Sequence, residues 1–263
     1  MSEDIGPILE GWPYGEGGNV RKIVGLDGKE KIQIRVVLEG LHGLVQFDCD
    51  GRPDGKRPHE RAFALDHYEA RLRESERDGG AGGTFRLTHE QAAELFEESF
   101  VTYQRYIVLL QVGEFERVIR DTAQNMRLFR FVHEHAAEAE DRDRLEKWWP
   151  YIIRLYHTAR AMLKLSKDDY GEAMQIVGEA RRELDTLTPR EDEVFQGELE
   201  RSRKALDELE GTINERRPLT ETDVLEREKN EAIRLEDYER AARLRDQIDE
   251  LKKDNEEKPT SEA

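Results

Sequence analysis

The chain has 263 residues and carries 59 acidic against 42 basic side chains, a formal net charge of -17. That balance argues against wrapping nucleic acid or an anionic membrane with the whole surface, so no direct nucleic-acid binding is expected. Cys49 is the single cysteine, which excludes an intrachain disulfide and a cysteine-based structural zinc site. No apolar run approaches the roughly 20 residues that span a bilayer. The opening MSEDIGPILEG has neither a basic nor an apolar leader segment, and the expectation is a soluble cytoplasmic protein. Charged residues make up 38% and apolar residues 37% of the chain, which suits slim helical layers better than one thick core.

The expected class is α+β, mainly α. Residues 1–76 read as a small β-rich domain. NVRKIVG and KEKIQIRVVL flank an Asp-Gly turn, and Ile32, Ile34, Val36 and Leu38 alternate on one face of the second run, the pattern of a β-hairpin. Leu44–Asp48, after a Leu-His-Gly break, reads as a third strand of an antiparallel meander. GRPDGKRP reads as a polar loop and Ala64–Ser75 as a short helix. RDGGAGG then marks a Gly-rich linker at 77–84.

Residues 85–217 read as helical almost throughout. Thr88 with Gln91 makes a capping box, followed by apolar positions at helical spacing from Leu95 to Leu110. Pro150 begins a new helix after Trp148-Trp149, and Pro189 ends another. RRPLT separates this array from a final segment at 219–254, and 255–263 read as a disordered tail.

Three segments align without gaps: LQVGEFERVI from Leu110, LSKDDYGEAM from Leu165 and IRLEDYERAA from Ile233. Each has an apolar residue, an aromatic five places later (Phe115, Tyr170, Tyr238) and a compact residue three places after that (Val118, Ala173, Ala241). This spacing predicts helical hairpins, the aromatic sitting in the crook and the compact residue letting the second helix approach. The first two copies resemble the turns of tetratricopeptide repeats, although their interval of 55 residues departs from that family's 34.

LEREKNEAIRLEDYERAARLRDQIDEL, Leu225 to Leu251, resembles the UVR motif of the bacterial excision-repair proteins UvrB and UvrC. Leu225, Ala232, Ile233, the turn Glu236-Asp237-Tyr238, Ala241-Ala242, Leu244-Arg245-Asp246, Ile248 and Leu251 carry the resemblance. No phosphate loop of an ATPase accompanies it. The resemblance implies a bacterial protein that associates through Tyr238, Ala241, Ala242, Leu244, Arg245, Asp246, Ile248 and Leu251. The implied partner is a UVR-like hairpin in UvrB, UvrC, a Clp ATPase or a second copy. Similar motifs in Clp ATPases and their zinc-binding adaptor McsA show that the motif does not by itself mean repair. On the residues alone, Ala241, Leu244, Ile248 and Leu251 form one stripe, Val224, Leu225, Ala232 and Ile233 face it, and so small a hairpin needs a partner or the preceding helices to cover it.

Chemistry is sparse. His133 and His135 stand two apart and point to different sides of a helix, so they cannot share an ion. Asp48, Asp50, Asp54, His59 and Glu60 crowd one loop, but Arg52, Lys56, Arg57 and Arg61 compete for the carboxylates. Cys49 reads as a buried structural thiol. No nucleophile elbow, acid–base pair or dinucleotide fingerprint occurs, so no catalytic residue, metal or cofactor is expected. Arg117, Arg120, Arg127 and Arg130 line one side of a helix, and Arg154, His157, Arg160 and Lys164 recur on the next long one. Side by side these stripes would form an anion groove; paired with neighbouring acids they would be solvated surface. The leading expectation is a non-enzymatic adaptor. The alternatives are an accessory factor of nucleotide excision repair, an adaptor of a Clp-type ATPase, and an enzyme with its site around Asp48 to Glu60.

Overall fold

The chain forms two compact units, Met1–Ile213 and Asn214–Ala263. The computed structural model describes residues 4–12, 18–77, 85–219 and 221–256. The expected Gly-rich linker therefore lies outside the described residues except for Arg77, which ends a helix. Of the expected tail, Asn255 and Glu256 are helical, and 257–263 lie outside the described residues.

The first unit begins with the short helix α1 (Gly6–Glu10) and a three-stranded antiparallel sheet, β1 (Val20–Val24), β2 (Glu30–Leu38) and β3 (Leu41–Asp48), in the order β1-β2-β3. The strands follow the alternation of the sequence, with one correction. β3 starts at Leu41, so the expected break at Leu41-His42-Gly43 lies within the strand. The reversal is made instead by Glu39 (φ 47°) and Gly40 (φ 84°), whose paired positive φ values are those of a two-residue hairpin turn with the strand's own twist. Register pairs Ile32 with Phe47 and Ile34 with Val45, so the apolar residues of both strands share one face.

That face does not enclose a core of its own. Ile32, Phe47 and Cys49 are buried in one cluster with Tyr106, Leu109, Val118, Leu155 and Ala159 from the helices that follow. Fully burying a side chain such as Ile32 contributes roughly 1.5–3 kcal/mol, and here the helical partners lie 74 to 127 positions further along the chain.

The helices are α2 (Ala64–Arg77), α3 (His89–Gln111), α4 (Phe115–His135), α5 (Ala139–Arg144), α6 (Trp149–Leu165), α7 (Tyr170–Asp185) and α8 (Glu193–Arg216). The capping box of Thr88 and Gln91 opens α3, and Pro150 sits in the first turn of α6, where its missing N–H costs no helix bond. Pro189 lies in the connection after α7, which already ends at Asp185. α3 packs on α4, α4 on α6 and α6 on α7. Their shared core includes Leu95, Leu128, Val132, Ile152, Ile153, Ile176 and Leu206.

Two buried ion clusters tie the sheet and loop to this array. The Arg105 guanidinium has no exposed surface; it donates to Asp121 at 2.6 and 2.8 Å and to the carbonyls of Asp48 and Gly51, both at 2.8 Å. Glu98 accepts the N–H groups of Ala64 (2.6 Å) and Leu65 (3.2 Å) at the start of α2 and faces Arg52. Burial pushes its carboxyl above the usual range, with those N–H groups and Arg52 pulling the other way.

The second unit contains α9 (Glu221–Arg234) and α10 (Tyr238–Glu256), packed against each other.

The C-terminal hairpin and the candidate binding residues

The three aligned segments adopt the same turn. α3 ends and α4 starts at Phe115, α6 ends and α7 starts at Tyr170, α9 ends and α10 starts at Tyr238. Two residues before each aromatic the backbone is left-handed, at Gly113 (φ 76°), Asp168 (φ 58°) and Glu236 (φ 59°). The next residue's N–H reaches back to the carbonyl five positions earlier, Glu114 to Leu109, Asp169 to Lys164 and Asp237 to Ala232, at 3.0, 3.1 and 2.9 Å. This is the left-handed termination that satisfies the last carbonyls of a helix. Asp169 and Asp237 also cap the following helix, accepting from the N–H of Glu172 and Arg240. Val118, Ala173 and Ala241 are all buried, as their spacing requires.

Within the last hairpin, Ala232, Ala241 and Leu244 form a small core with Leu225 against it; Ile248 is also buried and Leu251 half-buried. Leu225 and Ala232 are seven residues apart, two turns, and so share a face. Val224 and Ile233 stand about 100° to either side of that face. Both are exposed, which corrects the expectation that they point inward. Tyr238 is 68% and Leu235 65% exposed, so the tip of the hairpin presents Ile233, Leu235 and Tyr238 to solvent. Of the residues expected to bind a partner, Tyr238, Ala242, Arg245 and Asp246 lie on the surface, while Ala241, Leu244 and Ile248 are buried. Arg245 donates to its neighbour Asp246 at 2.7 Å, and that hydrogen bond raises its pKa. Arg240 reaches Glu228 across the two helices at 3.2 Å.

Residues 220–254 match a family model described as the UvrB/uvrC motif. The hairpin is thus similar to the UvrB/uvrC motif, a protein-interaction element. The match takes in the whole of α9 and all but the end of α10, and none of the first unit. Comparison with curated proteins and with solved structures finds no match.

Outside the motif, each member of the two basic stripes has a partner. Arg117 pairs with Glu30 and Glu114, Arg120 with Asp50 and Asp121, and Arg127 with Asp66 and Glu69. Arg130 lies over the Trp149 ring at 5.5 Å. On α6, Arg154 faces Glu198 at 3.7 Å, and the acids of α7 take the rest, Glu183 holding His157 at 2.7 Å, Glu179 holding Arg160 at 2.9 Å and Glu172 holding Lys164 at 2.7 Å. The hydrogen bond from His157 holds the Glu183 carboxyl below its usual range.

Three of the loop residues are partnered in the same way. Asp48 binds Lys31 at 2.5 Å, Asp54 binds Arg52 at 2.9 Å, and His59 binds Glu94 at 3.0 Å. No group of three or more His, Cys, Asp or Glu placed to hold a metal ion occurs among the described residues. His133 turns to Glu146, whereas His135 packs edge-on to Phe85 and close to Phe131. Cys49 is fully buried, and burial raises its thiol pKa. No helix among the described residues is long and apolar enough to cross a membrane.

One surface feature was not anticipated. Phe100, Tyr103, Tyr151 and Trp148 form a chain of ring contacts from α3 to α6, with centroids 5.9–6.4 Å apart. The signal was present in the sequence as two aromatic pairs at three-residue spacing.

Proposed function

We propose that this protein is a non-enzymatic adaptor whose C-terminal motif docks on a helical hairpin of a protein partner. The observation that carries this reading is the match over 220–254 on a hairpin whose own core leaves Val224, Ile233, Leu235 and Tyr238 uncovered. A unit of this size with four large apolar side chains in water gains by covering them. The helical first unit, tetratricopeptide-like in its turns, then serves as a scaffold that carries the docking hairpin.

The description of the motif favours UvrB or UvrC as the partner class, and with it a role as an accessory factor of nucleotide excision repair. A pull-down with the full-length protein, with and without residues 219–263, tests both levels. Recovery of UvrB or UvrC that requires the segment supports the repair role. Recovery of a Clp ATPase keeps the adaptor and moves it to proteolysis. Turnover of a small molecule by the protein alone overturns the non-enzymatic reading.

A further inference from the structure

β3 is an edge strand, and among the described residues no strand pairs with its outer side. The two-residue turn makes Leu38 and Leu41 a hydrogen-bonded pair, so Gly43, Val45 and Phe47 also turn their backbone groups toward β2. His42, Leu44 and Gln46 therefore direct their N–H and C=O groups outward. The Asp48 N–H points the same way and is taken by the Pro53 carbonyl at 2.9 Å. Natural edges are blunted with charges or proline. This one has neither from Leu41 to Phe47, in a chain that is 38% charged. Its apolar face runs out into solvent, with Leu41 73% and Val45 41% exposed beside Leu38 at 65%.

We propose that this edge pairs with the same edge of a second copy of the chain, antiparallel, about a two-fold axis through Leu44. The register places Leu44 opposite itself and His42 opposite Gln46, and uses all six outward backbone groups; a two-fold centred on His42 or Gln46 uses fewer. On the apolar face it sets Leu41 beside Phe47 and the small Gly43 beside Val45, so the exposed side chains meet apolar or compact neighbours. At the margins Asp48 faces Gly40 and Glu39 faces Cys49. No like charges stand opposite each other, which matters for two molecules that each carry a net charge of -17. This self-complementarity favours a second copy over an unrelated extended segment. The contact is short, so the dimer is weak and reversible.

Sedimentation of the full-length protein over a concentration series tests this, with the Leu44→Lys and Leu44→Glu variants. Each variant alone puts like charges on the axis, and circular dichroism establishes that it is folded. The expected result is a concentration-dependent dimer for the unaltered protein, at least a tenfold weaker one for either variant, and recovery in an equimolar mixture of the two. Leu44→Pro removes only an outward N–H, which an edge strand tolerates, and also weakens the dimer. A protein that stays monomeric at every attainable concentration overturns the proposal. So does a dimer unchanged in both charged variants, because association then uses another surface, the hairpin included. Folded Lys and Glu variants that fail to pair with each other overturn it as well.

Discussion

Replacing Asp121 by Ala removes the carboxylate that, among the described residues, faces a guanidinium with no exposed surface. Arg105 makes two short bonds to that carboxylate and one each to the Asp48 and Gly51 carbonyls. After the substitution the positive charge stays buried, held only by the two carbonyls. Breaking one side of such a pair costs about 3–5 kcal/mol. Against a total stability of about 5–15 kcal/mol this is a large fraction. For a unit of this length it lowers Tm by roughly 6–20 °C. The assay is urea and thermal unfolding followed by circular dichroism, reading the transition of the first unit. Arg105→Met with Asp121→Leu leaves no buried charge but strips two carbonyls of a donor at about 1–3 kcal/mol each, so its loss should be of similar size to that of Asp121→Ala alone. A loss below about 1 kcal/mol for Asp121→Ala would refute the reasoning and mean that water reaches Arg105.

The turns offer a signed comparison: Gly113→Ala forces a Cβ into left-handed backbone and should destabilise by about 1–2 kcal/mol, whereas Asp168→Gly relieves the same strain and should be neutral or stabilising. Chemical unfolding of the two variants checks the opposite signs. Glu183 has a folded-state pKa depressed below 4.5, so its stabilising contribution is present above 4.5 and is lost as pH falls through the folded value. Glu183→Gln should flatten the stability profile in that acidic window. Cys49 should react with a thiol reagent at the rate of unfolding in native buffer and rapidly in denaturant; fast native labelling would contradict its burial.

Local features were legible in the sequence. The alternation of β2, the capping box at Thr88, the start of α6 at Pro150 and the three hairpin turns all rest on residues within a few positions of each other. Long-range pairings left no such trace. The sheet completes its core with Tyr106, Val118 and Leu155, which alternation in residues 20–48 cannot announce. The stripe from Arg154 to Lys164 looked available because its partners, Glu172, Glu179 and Glu183, sit on the next helix at a distance set by the turn. Glu98 and Arg105 did leave a signal, since they interrupt the buried face of α3 at a spacing of seven, between Leu95 and Leu109. Polar residues in that register mark buried partners and not a solvated face. In the last hairpin the motif was readable whole, but which side of α9 meets α10 turned on a rotation of about 100°, and this left Val224 and Ile233 outside.

That rotation also selects the residues for the decisive experiment. Leu244→Asp would unfold the hairpin, because Leu244 lies in its core, and so would not separate docking from folding. Leu235→Asp with Tyr238→Glu alters exposed positions and leaves that core intact. The measurement is calorimetric titration of the full-length protein, unaltered and doubly substituted, with purified proteins bearing UvrB/uvrC-motif hairpins. Placing carboxylates in a desolvated contact costs several kcal/mol, and each 1.4 kcal/mol is tenfold in Kd. The account predicts binding by the unaltered protein, weakened about 100-fold or more in the double variant with the helical content unchanged. Equal affinity for both proteins, or no binding to any such hairpin, would contradict it.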